Sequence, residues 1–170
     1  MRNVGITRSL NVSLTKALGT VATWTLAYAS DMYTYTCDTT DEVAYVTCPI
    51  ELPLENDQDG ATGSKISSIE VSYTVGTAAL DAAPVAEIKS VAKAVDGAAP
   101  VVTTLTATVA ASGSITDTKT VDDHAITITP SSDLTLSGDA NYILEVGFDK
   151  AATSTVAITG ITVNYTPLVG

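Results

Sequence analysis

Lys65-Ile-Ser-Ser-Ile-Glu-Val-Ser-Tyr-Thr-Val75 is the stretch whose reading decides the fold class of this chain. From Ile69 the apolar residues alternate strictly, Ile69, Val71, Tyr73 and Val75, with Glu70, Ser72 and Thr74 between them. A period of two places the first set on one face of a β-strand and the second on the other. Such a strand needs a second apolar surface to cover it. Two further stripes supply one: Tyr142, Leu144, Val146 and Phe148, and then Ile161, Val163 and Tyr165. Gly160, ahead of the last stripe, predicts a bulge or a close backbone approach.

Strands are also expected at 85–95, 101–109, 115–121, 124–129, 134–136, 141–148 and 155–165. Turn signals separate them: Asp96-Gly97, Ser112-Gly113, Asp122-Asp123, Pro130 to Asp133, and Ser137 to Asp139. Short strands at such spacing predict a sandwich or barrel. The expected architecture is therefore all-β: an antiparallel jelly-roll-like β-sandwich with an extended N-terminal arm. Ends of such sandwiches commonly join, so 65–75 is expected beside 161–165.

Length and composition fit one body with an extension. The chain has 170 residues, of which 45% are hydrophobic, enough for a core. Charged residues amount to 16%, so the surface must be largely Thr, Ser, Ala and Gly, which favours strand over helix. The expected division is 1–62, an arm and β-hairpin extension for assembly, and 63–170, the sandwich body. The best linker signal lies in Glu55-Asn-Asp-Gln-Asp-Gly-Ala-Thr-Gly-Ser64. Its alternating acids, Glu55, Asp57 and Asp59, resemble the start of a calcium loop. Ile66 stands where that loop needs its twelfth-position Glu, so a solvated turn is expected.

The charge is uneven. Arg2, Arg8 and Lys16 give residues 1–30 a charge of +3, while five lysines against all 19 acidic residues give the remainder −14. An acidic body argues against nucleic-acid binding. No run of about 18 apolar residues exists, so no membrane span is expected. Ala27-Tyr28-Ala29 resembles a signal-cleavage site, but Thr20, Thr23 and Thr25 interrupt the apolar run before it, so the segment is expected to be retained.

Catalytic and metal chemistry lack a constellation. His124 is the single histidine, and Asp122 and Asp123 are too close in sequence to orient it. It is expected to open a strand beside an acidic turn. Cys37 and Cys48 flank the turn-like 38–42; two buried thiols are favoured over a disulfide, and no metal site is expected. Trp24, Tyr28, Tyr33 and Tyr35 cluster closely enough to raise a sugar platform, but aromatics total only 5%, so core or subunit packing is the preferred reading.

Three segments carry a family resemblance: Ile69 to Pro84, Asn141 to Val156, and Ile158 to Tyr165. On their strand and turn patterns the chain resembles bacteriophage virion accessory proteins, the small jelly-roll sandwiches that decorate heads or form short fibres. The resemblance covers Lys65–Tyr165 and brings no catalytic residues or cofactor. It implies a capsid cement or decoration protein on the capsid surface of the virion. The implied partners are the major capsid protein lattice and further copies of the chain, a trimer favoured. The expected assembly interface is Val4, Ile6, Arg8, Leu10, Val12, Leu14, Trp24, Tyr33 and Tyr35. A glycan- or receptor-binding sandwich, as adhesin or head fibre, is the alternative, followed by a small tail or baseplate component.

Overall fold

The computed structural model describes residues 8–11, 18–20, 24–29, 32–37, 42–52, 64–92, 99–112, 117–132 and 134–167. These residues form two antiparallel sheets packed face to face. The first sheet holds β1 (Arg8–Asn11), β3 (Trp24–Ala29), β4 (Met32–Cys37), β6 (Lys65–Gly76), β9 (Ala107–Ala111), β10 (Asp122–Pro130), β11 (Leu134–Thr135) and β13 (Thr155–Thr166). The second runs β2 (Leu18–Thr20), β5 (Glu42–Ile50), β12 (Ala140–Lys150), β7 (Val85–Ala92) and β8 (Val102–Leu105) in spatial order. The chain passes repeatedly from one sheet to the other, as the jelly-roll-like expectation required.

The opening stretch forms the centre of the first sheet. β6 lies between β13 and β10, and Ile69, Val71, Tyr73 and Val75 are all buried. First and last strands of the body are neighbours, as expected: Ile69 is opposite Val163 and Val71 opposite Ile161. Two bulges keep their apolar faces in phase. Between Ile158 and Gly160 the register slips by one, so the inward set changes from Val156 and Ile158 to Ile161, Val163 and Tyr165. A second slip lets Ser67 drop out of the ladder, and its hydroxyl donates to the Asn164 carbonyl at 3.0 Å. Ile66 and Ile69 are therefore both buried although three residues apart, and strict alternation begins only at Ile69.

From the opposite sheet Leu144, Val146 and Phe148 face these residues. Tyr142 packs at the margin, where its hydroxyl accepts from the Ser137 N–H at 3.0 Å. Aromatic rings run as a chain through the core. Tyr35 stacks on Trp24 at 5.1 Å, Trp24 meets Phe148 at 6.3 Å, Phe148 meets Tyr73 edge-on at 5.1 Å, and Tyr73 lies 5.5 Å from His124. Phe148 is the member from the second sheet, so it couples the two layers.

Four expectations need correction. The boundary at 62/63 does not separate two packing units. β5 sits inside the second sheet, paired with β12 from Glu42 to Ile50, and Ala44, Val46, Cys48 and Ile50 face the common core. A strand with alternating apolar residues cannot remain part of an extension when β12 offers it an unpaired edge, and β4 before it pairs in the other sheet. The expected strand 101–109 is two strands in different sheets, broken at Thr106, whose carbonyl accepts from Ser131 N–H and hydroxyl. Of the expected strand 115–121, residues 117–121 form a strap rather than a strand. Three successive carbonyls of it are held: Thr118 by the Tyr73 hydroxyl at 2.6 Å, Lys119 by the Leu80 N–H at 2.8 Å, and Thr120 by His124 Nε2 at 2.7 Å. His124 is the third residue of β10, and the expected acidic turn at Asp122 and Asp123 is instead strand, paired with Val75 and Thr74. The expected linker, including Glu55, Asp57 and Asp59, lies outside the described residues.

Burial holds the Tyr73 phenol well above its ordinary value near 10, outweighing the opposing effect of its hydrogen bond to Thr118. The folded state thus keeps this proton more tightly than the unfolded chain. The associated stability is complete below about pH 10 and is lost as pH rises beyond it. Denaturant melts from pH 8 to 11.5 should show a steeper alkaline loss in the wild type than in Tyr73→Phe, which also forgoes about 1 kcal/mol of hydrogen bonding at all pH. Val146→Asp should cost several kcal/mol by burying an unpaired carboxylate. Thr74→Asp, facing outward beside Asp123, should cost about 1 kcal/mol and less at high salt. Equal losses in thermal melts would contradict this assignment of faces.

Candidate functional site

The outer face of the second sheet carries an open groove among the described residues. On β5, Val43, Tyr45 and Thr47 point away from the core, because Ala44, Val46 and Cys48 point into it. On β12 the outward set is Ile143, Glu145, Gly147 and Asp149, and on β7 it is Val85, Glu87 and Lys89. Pairing aligns them in rows: Tyr45, Gly147 and Val85 in one, Thr47, Glu145 and Glu87 in the next. An open groove of about 200 Å³ follows these rows, lined by Tyr45, Val85, Ala86, Glu87, Glu145 and Gly147.

Gly147 shapes its floor. A Cβ built there would lie 2.7 Å from Cε1 and 3.0 Å from Cδ1 of Tyr45, and 3.0 Å from Cγ2 of Val85. The Tyr45 ring therefore rests directly on the β12 backbone, and it stays partly exposed to solvent. A side chain at 147 would lift the ring off the sheet.

The next row holds two carboxylates directly across from one another, Glu145 and Glu87. Like charges in that position repel. Lys89 answers both, with Nζ 2.5 Å from Glu145 Oε1 and 3.5 Å from Glu87 Oε2. The hydrogen bond to Glu145 holds the Lys89 ammonium above the usual lysine range, against a small opposing effect of burial. The groove thus has an aromatic ring at one end and an ion-paired array of donors and acceptors at the other.

The residues expected to form an assembly interface lie elsewhere. Val4, Ile6, Val12 and Leu14 fall outside the described residues. Arg8 is exposed on β1, and Leu10 pairs opposite Val163. β1 does not project from the sandwich. β4 covers β13 only over Val156–Ile158, and β1 takes the edge left open at Thr162–Tyr165. Trp24 and Tyr35 stack on each other within their own core, since β3 and β4 pair as a hairpin with Trp24 opposite Cys37. Tyr33 is opposite Tyr28, and Tyr28 is 60% exposed. A continuous aromatic row of Tyr28, Tyr33 and Tyr35 is therefore broken by the burial of Tyr35. No disulfide joins Cys37 and Cys48, and both side chains are buried.

Tyr45, Gly147, Glu145, Glu87 and Lys89 were missed by sequence reasoning. The one available signal was the alternation of β5, where Val43, Tyr45 and Thr47 form the bulkier stripe yet face outward. No helix among the described residues is long and apolar enough to cross a membrane, and those residues hold no cluster of three or more metal-ligating side chains.

No protein-family model matches the chain, and no curated protein matches it. Among solved structures, one from work on the promiscuous specificity of carbohydrate-binding modules of the β-sandwich superfamily is 14% identical, with a TM-score of 0.36. That alignment covers 94% of this chain and 57% of the other. The solution structure of the module CtCBM11 is 13% identical with a TM-score of 0.33, covering 99% of this chain and 93% of that one. At such scores the superpositions carry no argument, and the fold assignment rests on the strand pairing itself.

The contact between Tyr45 and Gly147 is testable by a double-mutant cycle. Gly147→Ala should cost about 1–3 kcal/mol by displacing the ring. In a Tyr45→Ala background the same change should cost much less, because the new methyl group enters the space the ring vacated. Additive losses in urea denaturation would show that the ring does not rest on residue 147.

Proposed function

We propose that this chain is a non-catalytic β-sandwich binding module that takes a glycan across the outer face of its second sheet. The observation that carries the reading is the Tyr45 ring packed over Gly147 beside the Glu145–Lys89–Glu87 array. An exposed aromatic face receives the apolar C–H face of a pyranose, and charged groups held in place read its hydroxyls. Glu145 and Glu87 accept from sugar O–H groups, and Lys89 donates to sugar oxygens. The ring and the ion pairs are fixed by backbone pairing, so little conformational entropy is lost on binding.

A virion role is a second reading, favoured by a separate feature. β8 is an edge strand without a charged residue, and Val101 and Val102 at its start are 63% and 59% exposed. Protected edges usually carry charge, proline or a bulge. A particle lattice contacting this edge would gain occupancy from many weak, repeated contacts. The two readings are compatible, since a head-borne sandwich with a glycan groove is a receptor-binding decoration. The major capsid protein, a trimeric state and a place on the capsid surface belong to this second reading.

Titration against a panel of soluble oligosaccharides tests the first reading. At least one neutral oligosaccharide should bind in the micromolar to millimolar range. Tyr45→Ala should weaken it about tenfold or more while leaving the thermal melt near that of wild type. Glu145→Gln should weaken it less and change the preference among sugars. Binding unchanged in Tyr45→Ala, or no binding across a broad panel, would remove the groove from consideration. For the second reading, Val102→Lys should lower occupancy on particles lacking this protein, measured by co-sedimentation.

A further inference from the structure

We propose that Cys37 and Lys150 are a modification site, at which mild oxidation joins the two sheets through a sulfur–nitrogen bond. Both residues are completely buried, and Lys150 Nζ donates to Cys37 Sγ at 3.4 Å. Cys37 ends β4 in the first sheet, and Lys150 ends β12 in the second. A fully buried lysine is normally paired, and the Cys37 sulfur is among the groups this amine contacts. Neither residue takes part in the groove.

The chemistry balances with a peroxide as oxidant. Cys37 sulfur attacks hydrogen peroxide, the O–O bond breaks, and the products are a sulfenic acid and one water. The Lys150 nitrogen then forms a bond to sulfur as the S–O bond breaks. The nitrogen first gives up its ammonium proton to solvent, since only the neutral amine has a lone pair, and the departing hydroxide takes one N–H proton to become the second water. Sulfur is oxidised by two electrons and the peroxide is reduced by two. The product is a sulfenamide, Cys37–S–NH–Lys150, reversible by thiols.

Position favours the sulfenamide over a more highly oxidised sulfur and over a disulfide. Peroxide meets this buried sulfur only when the strand ends open locally, so oxidation is slow, and a sulfenic acid once formed lies against the amine long before a second peroxide arrives. The amine already stands in contact with the sulfur, which makes capture effectively unimolecular. Cys48 offers the competing disulfide, but it lies on β5, opposite Leu144, and no disulfide joins it to Cys37. The new bond would close a loop between residues 113 apart in sequence, a long span for a covalent tie.

The full chain is treated with hydrogen peroxide and digested without reductant by proteases cutting at acidic residues, which separate Cys37 from Cys48. Mass spectrometry should find the peptides containing Cys37 and Lys150 joined, about 2 Da below the sum of their masses, and separated again by dithiothreitol. The same product should form in Cys48→Ser, and the treated protein should melt roughly 5 °C or more higher than the untreated. A Cys37–Cys48 disulfide, a sulfinic or sulfonic acid on Cys37 with Lys150 unmodified, or an unreacted Cys37 would each overturn the proposal. These readings need only wild type and Cys48→Ser, so they stand even if Lys150→Met fails to fold.

Discussion

The pairing of β6 with β13 is the constraint on which the rest of the structure depends. Both strands are twelve residues long and lie at the centre of the larger sheet. Each has a run of apolar residues whose parity changes part-way along. A slip of one residue in either would turn half of its core set toward solvent. The bulges at Gly160 and Ser67 absorb the parity changes, so Ile66, Ile69, Val71, Tyr73 and Val75 share one core with Val156, Ile158, Ile161, Val163 and Tyr165. With that register set, β10 and β11 add on one side and β4 and β1 on the other, each covering a different part of a long edge.

Closure of the sandwich follows from Phe148. Among the described residues, it is the one that brings an aromatic ring from the second sheet into the chain of rings formed by Tyr35, Trp24, Tyr73 and His124. Tyr73 extends the effect outward, since its hydroxyl helps hold the 117–121 strap by a backbone carbonyl. The space between the sheets is thus filled by side chains, and binding chemistry belongs on an outer face. The second sheet provides it because Gly147 leaves a gap in the side-chain layer that the Tyr45 ring fills from the neighbouring strand. The glycan reading is a consequence of that single missing side chain.

The two faces of the sandwich differ in character. Outside the first sheet, short polar groups are paired to one another: Ser9 with Asn164, Asn164 with Ser68, Thr162 with Asn11, Ser112 with Glu70. Such a face satisfies its own hydrogen-bonding capacity. Outside the second sheet, charged groups stand around an open groove, and Glu87 keeps half of its side chain in water. What distinguishes the second face is that Glu87, Lys89 and Glu145 stand together as one ion-paired set at the groove.

The sequence by itself determined the elements whose signal is local. Alternation placed β6, β12 and β13, and Gly160 marked a bulge, because a strand with one wet and one dry face writes its period into the chain. It also placed His124 within two residues of the start of β10 and kept Cys37 and Cys48 in the interior. Only the tertiary structure decided matters that depend on who the neighbour is. Residues 42–50 read as part of an extension, yet the open edge of β12 draws them into the second sheet. On β5 the bulkier stripe, Val43, Tyr45 and Thr47, faces outward, and the smaller residues between them take the core beside Leu144 and Val146. Trp24 and Tyr35 read as assembly anchors, and Phe148, more than 110 residues away, claims them for the interior. The candidate groove joins Tyr45, Glu87, Lys89, Glu145 and Gly147 from three strands, and no local period connects them. Its existence rests on strand register, which is set by long-range pairing rather than by any stretch of sequence.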